Sequence, residues 1–165
     1  MTIFTKVAMI AGMLLAMLGA MPASAADTVY VIRHLQKESG ADPILTAEGK
    51  AGAAALADLL ADKSIKAIYA TETRRAMETA APLAARLKIA IIPYDPGNPA
   101  ALAKIAAGVK GAILVVGHSN TVPELVASFG GAEPAAIADD EFGTLYIVHA
   151  GSNAVQQVHV GAHAH

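Results

Sequence analysis

The chain has 165 residues, 55% of them hydrophobic, and its formal net charge at pH 7 is −2. This charge argues against a nucleic-acid-binding protein, in which lysine and arginine are clustered. The absence of cysteine excludes disulfide bonds, thiolate metal sites and a cysteine nucleophile.

The first residues carry the pattern of a secretory signal peptide. Lys6 precedes an apolar run over residues 7–18, and residues 23–25 supply the small side chains of a cleavage site. We expect cleavage after Ala25, export to the periplasm or the exterior, and no stable membrane anchor, because the apolar run is too short for a span. The domains are then a signal peptide, residues 1–25, and one folded domain, residues 26–165.

The remainder alternates between strand and helix signals. Strands are predicted over residues 28–32, 67–70, 90–93 and 112–116, followed in turn by helices over residues 48–62, 74–87, 99–109 and 121–129. Two closing strands, residues 144–149 and 154–160, are separated by residues 151–153 (GSN), which are typical of a hairpin turn. This order predicts a three-layer α/β fold, with helices on both faces of a mostly parallel sheet and an antiparallel strand at one edge.

A histidine lies just beyond the end of each of two apolar strands. Arg33 and His34 follow the strand at residues 28–32, and Gly117 and His118 follow the strand at residues 112–116. Parallel strands gather their carboxyl ends at one sheet edge, so both imidazoles are expected in one crevice. Neutral imidazole is a nucleophile near neutral pH, and guanidinium matches the oxygens of phosphate. The pattern predicts phosphate chemistry through a histidine nucleophile.

A third strand end carries a pair of arginines. Residues 71–79 (TETRRAMET) lead from the strand at residues 67–70 into a helix, and the N-terminus of a helix favours anions. Either Arg74 or Arg75 could therefore face a phosphate group, the alternative being a pair of exposed helix charges.

Four segments, in the right order at strand ends, resemble the histidine phosphatase (phosphoglycerate mutase-like) superfamily. They are residues 29–34 (VYVIRH), 45–49 (LTAEG), 75–80 (RAMETA) and 117–121 (GHSNT). The resemblance implies a phosphoglycerate mutase-like fold, no metal and no cofactor. It further implies that His34 forms a phosphohistidine and that Arg33 and Arg75 bind the phosphoryl oxygens. His118 would donate to the phosphate and stabilise the transition state, and Thr71 lies where many relatives place a hydroxyl group.

The chain departs from the family pattern beside the nucleophile and in the proton donor. Leu35 and Gln36 follow His34 where the family commonly has a small residue and then Glu, and the His-Asp pair of the acid-phosphatase branch is absent. Asp95 lies in the connection that holds the acid in mutase-type relatives, although an Asp before Pro also favours a turn. The tail histidines, His159, His163 and His165, could bind metal or simply belong to a polar tail.

The sequence thus predicts a metal-independent, exported phosphomonoesterase of permissive specificity, acting on a phosphorylated small molecule or a phosphoprotein. The alternatives are a phosphohistidine-protein phosphatase and a non-catalytic binder of phosphorylated ligands. A mutase is disfavoured, because the acid and the insertions that it requires are not visible.

Overall fold

The computed structural model describes residues 26–161. The predicted signal peptide, residues 1–25, lies outside these residues, as do His163 and His165. None of the helices in the described range combines the length and the apolar character that a membrane span requires.

The strands and helices of this range alternate in the predicted order. The strands are β1 (Thr28–Arg33), β2 (Ile65–Ala70), β3 (Ile91–Pro93), β4 (Ala112–Gly117), β5 (Thr144–His149) and β6 (Val155–His159), and the helices are α1 (Ala47–Leu60), α2 (Arg74–Leu87), α3 (Pro99–Ala106) and α4 (Val122–Ser128). Helix α3 ends three residues before its predicted end, because turn hydrogen bonds, such as Val109 N to Ala106 O at 2.9 Å, replace the helical pattern there.

One six-stranded sheet, in the order β3-β2-β4-β1-β5-β6, forms the middle layer. β1 to β4 are parallel, whereas β5 runs antiparallel to β1 and β6 runs antiparallel to β5. The predicted α/β architecture, with its closing antiparallel hairpin at one edge, is therefore confirmed.

The helices divide between the two faces because the chain reverses direction across the sheet after β3. From β1 to β3 it moves toward one edge, and it then returns through α3 to place β4 between β2 and β1. Right-handed crossovers put the helices of the outward and return paths on opposite faces. Accordingly, Leu114 and Val116 of β4 lie in one core with α1 and α2, and Ile113 and Val115 lie in a second core with α3 and α4.

This topology makes the carboxyl ends of β1, β4 and β2 neighbours. Arg33 is paired with Gly117, and Val116 lies beside both Ile32 and Ala70. The residues that follow these strands, His34, His118 and Thr71, therefore start from the same edge of the sheet.

Candidate active site at the carboxyl edge of the sheet

The two histidines predicted to share a crevice are in ring contact. The amide of His34 donates to Gly117 O at 2.9 Å, which continues the β1–β4 ladder by one residue. The centroids of the His34 and His118 rings are 5.3 Å apart, with an interplanar angle of 63°. The structure thus brings together two side chains that lie 84 positions apart in the sequence.

The hydrogen bond of His34 fixes its tautomer. Its Nδ1 lies 2.9 Å from the carbonyl oxygen of Leu35, and a carbonyl only accepts, so Nδ1 carries the proton. Nε2 then holds the lone pair. Burial, together with the neighbouring His118, Arg75 and Arg33, lowers the pKa of His34 to about 4. At neutral pH the ring is uncharged, with Nε2 free to act as a nucleophile.

His118 is held by hydroxyl groups. Its Nε2 lies 2.9 Å from Thr71 Oγ1, and its amide donates to Thr121 Oγ1 at 3.0 Å. Burial lowers the pKa of His118 to about 4, aided by the positive charges of Arg75 and Arg33. Thr71 therefore contacts His118 directly, and it is itself buried, with 2% of its surface exposed.

Thr79 of helix α2 holds the main chain of Leu35, the residue that follows His34. The amide of Leu35 donates to Thr79 Oγ1 at 3.0 Å, and this hydroxyl donates to Arg75 O at 2.8 Å. Thr79 is fully buried, so its hydroxyl joins the nucleophile's loop to the turn of α2 that carries Arg75. This bridge explains the threonine of the segment RAMETA.

The segment LTAEG holds the next residue of the same loop. The amide of Thr46 donates to Gln36 O at 2.9 Å, and Thr46 Oγ1 caps α1 by accepting from Gly49 N at 3.0 Å. A Cβ atom at Gly49 would lie 2.1 Å from Gln36 O, which only glycine avoids. The bulky Leu35, a departure from the family pattern, points into the core with α1 and α2 and is 1% exposed.

Arg33 binds the main chain of the segment that precedes β5. Its Nη1 donates to Ala138 O and Glu141 O, both at 2.7 Å, and its Nη2 donates to Asp139 O at 2.9 Å. The guanidinium carbon also lies 4.0 Å from the centroid of the Phe142 ring. We call residues 138–142 the strap. Arg33 Nε is buried and has no hydrogen-bond partner among the described residues.

Arg75, in contrast, lines an open cleft. Its Nε is also buried without a partner in the described chain, and its Nη1 lies 3.7 Å from Asp42 Oδ1. Arg74 is exposed, and its amide nitrogen donates to Asp42 Oδ1 at 3.0 Å. The residues alone left the choice between the two arginines open, and the fold places the one indicated by the family pattern, Arg75, beside the histidines.

The cleft has a volume of about 780 Å³. Its inner wall holds His118, Thr71 and Arg75, and three carboxylate residues lie along it, Asp42, Glu72 and Asp95. Asp95 Oδ1 accepts from Gly97 N at 2.9 Å, so this side chain closes the turn that contains Pro96, and it also lines the cleft. No three metal-binding side chains cluster anywhere in residues 26–161.

Three parts of this site escaped the sequence analysis. Glu72 and Thr79 stand inside segments that were singled out, but nothing in their spacing shows that one lines the cleft and the other bridges the loop. Phe142, whose ring centroid is 5.9 Å from that of His34, lies in a segment without any motif. Only the fold brings the strap to the nucleophile.

Comparison with known proteins agrees with this architecture. The histidine phosphatase superfamily (branch 1) matches residues 29–96. Over 71 residues the chain is 55% identical to the uncharacterized protein Rv0525 of Mycobacterium tuberculosis, covering 38% of this chain and only 35% of that protein's length.

Two solved structures share the fold. The protein histidine phosphatase SixA in complex with tungstate superposes with a TM-score of 0.59 at 18% identity, covering 79% of this chain and 94% of that one. The mycobacterial glucosyl-3-phosphoglycerate phosphatase Rv2419c with inorganic phosphate gives 0.58 at 14% identity, covering 81% and 95%. The segment that matches the histidine phosphatase superfamily (branch 1), residues 29–96, contains both His34 and Arg75, and the fold of the described residues resembles those of these two phosphatases.

Proposed function

We propose that this protein is a phosphatase that hydrolyses phosphomonoesters through a phosphohistidine formed on His34. The observation that carries the proposal is the meeting of two imidazoles, whose ring centroids are 5.3 Å apart, with two buried guanidinium Nε groups that lack partners in the described chain. Buried donors in proteins are almost always hydrogen-bonded. A tetrahedral phosphoryl group supplies the acceptors that Arg33 and Arg75 would bind.

In the first step, Nε2 of His34 attacks phosphorus and the bond from phosphorus to the ester oxygen breaks. Nδ1 keeps its proton on Leu35 O, so the ring is oriented throughout. Arg75 and the Nε of Arg33 neutralise the phosphoryl oxygens, and His118 donates to them in the transition state. The departing oxygen takes a proton from water or from the candidate donor Asp95, which lines the cleft, and an aryl oxide needs neither.

In the second step, water attacks the phosphorus, the phosphorus–nitrogen bond breaks, and inorganic phosphate leaves. His34 returns to its neutral form with the lone pair again on Nε2. None of these steps calls for a metal ion, because positioning and positive charge supply the stabilisation.

The test is turnover of 4-nitrophenyl phosphate by the purified, EDTA-treated protein, with trapping of the labelled phosphoenzyme. We expect an acid-labile, base-stable phosphoenzyme in the wild type and none in His34→Ala, whose turnover falls to background. His159→Ala, at an exposed position on β6, is the matched control and keeps full activity. Phosphate binding without any phosphoenzyme would make the protein a non-catalytic binder and overturn the proposal.

Dephosphorylation of phosphohistidine on a protein is a second candidate. The observation that favours it is the exposed outer lining of the cleft, Asp42, Glu72 and Asp95, which leaves room for a protruding side chain. A panel that compares a phosphohistidine peptide with small phosphomonoesters decides between these substrates by kcat/KM.

We also propose that the protein is exported and acts outside the cytoplasm. The support is the sequence pattern of residues 1–25. Cell fractionation followed by N-terminal sequencing should give a mature protein that begins at Ala26. An uncleaved protein in the cytoplasmic fraction would contradict this localisation.

A further inference from the structure

We propose that Arg33 is a positioning residue, which acts on His34 by holding the strap, residues 138–142, against the nucleophile's ring. This role is additional to any contact of Arg33 Nε with phosphate, and it rests on the proposed phosphatase function.

The hydrogen bonds of Arg33 are the first support. A guanidinium group has five N–H donors, and three of those of Arg33 are donated to the carbonyl oxygens of Ala138, Glu141 and Asp139. Both donors of Nη1 are among them. Arg33 therefore cannot present its two terminal nitrogens as a full fork to phosphate without releasing the strap.

Arg33 supplies the side-chain hydrogen bonds to the strap, while the flanking Ile137 packs against the second core and Gly143 O accepts from Val160 N at 2.7 Å. The strap lies in the connection between α4, which ends at Ser128, and β5, which begins at Thr144, and this connection contains no helix or strand. Its own turn is closed by Glu141 N donating to Ala138 O at 3.0 Å. Bonds from a charged donor are stronger than neutral ones, so Arg33 makes the strongest hydrogen bonds to the strap residues themselves.

A continuous set of contacts leads from Arg33 to the nucleophile. The guanidinium carbon is 4.0 Å from the centroid of the Phe142 ring, and this ring is 5.9 Å from the ring of His34. Phe142 thus covers one side of His34 with hydrocarbon. Loss of this cover would admit water to the imidazole, which favours its protonated form.

The charged and titratable groups around His34 lower its pKa less than the exclusion of water does. They are His118 after β4, Arg75 on α2 and Arg33 itself, and all three disfavour the protonated ring less than burial does. The strap acidic residues, Asp139, Asp140 and Glu141, act on the charge of Arg33. Exclusion of water by the strap is therefore the feature that we expect to keep the His34 ring uncharged.

The experiment compares Arg33→Lys, Phe142→Ala and the double variant with wild type by two readouts. Amide hydrogen exchange over residues 138–142 reports attachment of the strap. The acid limb of the kcat/KM profile, assigned by NMR titration of the His34 ring, reports protonation of His34. In both single variants we expect faster exchange and an acid limb moved from about 4 toward the ordinary histidine value. A complete shift would lower kcat/KM at pH 5, relative to pH 8, by about 30-fold.

The double variant distinguishes positioning from direct phosphate binding. Since both residues act through one strap, Arg33→Lys/Phe142→Ala should move the acid limb no further than either single variant. Arg86→Lys, in an exposed ion pair with Asp58, is the control and changes neither readout. Arg33→Lys with raised KM, wild-type exchange and an unmoved acid limb would overturn the proposal.

Failure of the proposed function gives a different result. If the wild type turns over no phosphomonoester, the phosphatase assignment fails, while amide exchange and NMR titration of the His34 ring still test the strap. Unchanged exchange and an unchanged His34 titration in both single variants would then refute the positioning role itself.

Discussion

The two arginines of the site lie in regions of opposite character. Arg33 is 5% exposed, and its terminal nitrogens donate hydrogen bonds to main-chain carbonyl oxygens. The Arg75 side chain lines the cleft and is 19% exposed, and it makes one long ion pair with Asp42. We call Arg33, the strap and the loop of His34 the inner region. Because buried groups with several hydrogen bonds reorganise little, the inner region holds the His34 ring in place before substrate binds. The cleft region, with weaker constraints, is the part able to respond to a phosphate group.

The largest effect should come from the arginine of the cleft region. Arg75→Met removes a charged donor from the phosphoryl oxygens, and we expect kcat/KM to fall by about 10²–10³-fold. Arg74→Met, at the exposed neighbouring position, should stay within about twofold of wild type. Steady-state kinetics on an aryl phosphate provide the measurement, and equal losses in both variants would remove the distinction between the two arginines.

A smaller loss is expected where the inner region is tied to α2. Thr79→Val keeps the shape of the side chain but leaves the amide of Leu35 without its acceptor. The free energy of unfolding should decrease by about 1–3 kcal/mol, with a parallel loss of kcat as the loop of His34 loosens. Urea unfolding measures the first effect, and Thr144→Val on β5 serves as the control; a Thr79→Val protein as stable as this control would contradict the bridging role.

Both regions share the two histidines, which make stability depend on pH. Their folded pKa values of about 4 lie below the ordinary value of about 6.5, so the unfolded chain binds protons more readily. Stability should therefore fall as the pH drops from about 6.5 to about 4, and this contribution levels off below that. Melting temperatures measured across this pH range should fall less steeply in His118→Asn than in the wild type, because the variant has lost one of the two histidines.

Phosphate should oppose this decline, since a bound anion favours the protonated imidazoles. Calorimetry in buffers of different ionisation enthalpy is then expected to reveal net proton uptake on phosphate binding. Binding without proton uptake at pH 5–6 would show that the anion does not lie beside these rings.

The smallest effect concerns the ion pair of the cleft region. Asp42 competes with phosphate for Arg75, but exposed pairs at such distances contribute only about 0.2–1 kcal/mol. Asp42→Asn should therefore strengthen phosphate binding by a few-fold at most, and the gain should shrink in high salt. Asp58→Asn, in the exposed pair with Arg86, is the control and should leave the phosphate Kd unchanged. Weaker phosphate binding by Asp42→Asn would contradict the proposed competition between Asp42 and phosphate.

The order of strands and helices, and the shared position of His34 and His118, could be predicted because both follow from short-range patterns. A run of apolar residues specifies a buried strand, and parallel topology then brings the ends of β1 and β4 together. The role of Leu35 could not be predicted in this way. The sequence shows only that it is bulkier than the small residue common in the family, whereas the fold turns its side chain into the core beside α1.

The sequence by itself determined the alternating α/β layout, the histidine pair and the arginine-bearing helix start, since each is encoded by residues close together in the chain. Tertiary structure alone decided that Arg33 holds a strap more than one hundred residues away, that Phe142 covers His34, and that three carboxylates line the cleft. These contacts depend on where a connection without regular structure comes to rest. That position is set by packing and by main-chain hydrogen bonds across the folded molecule, for which no local pattern exists.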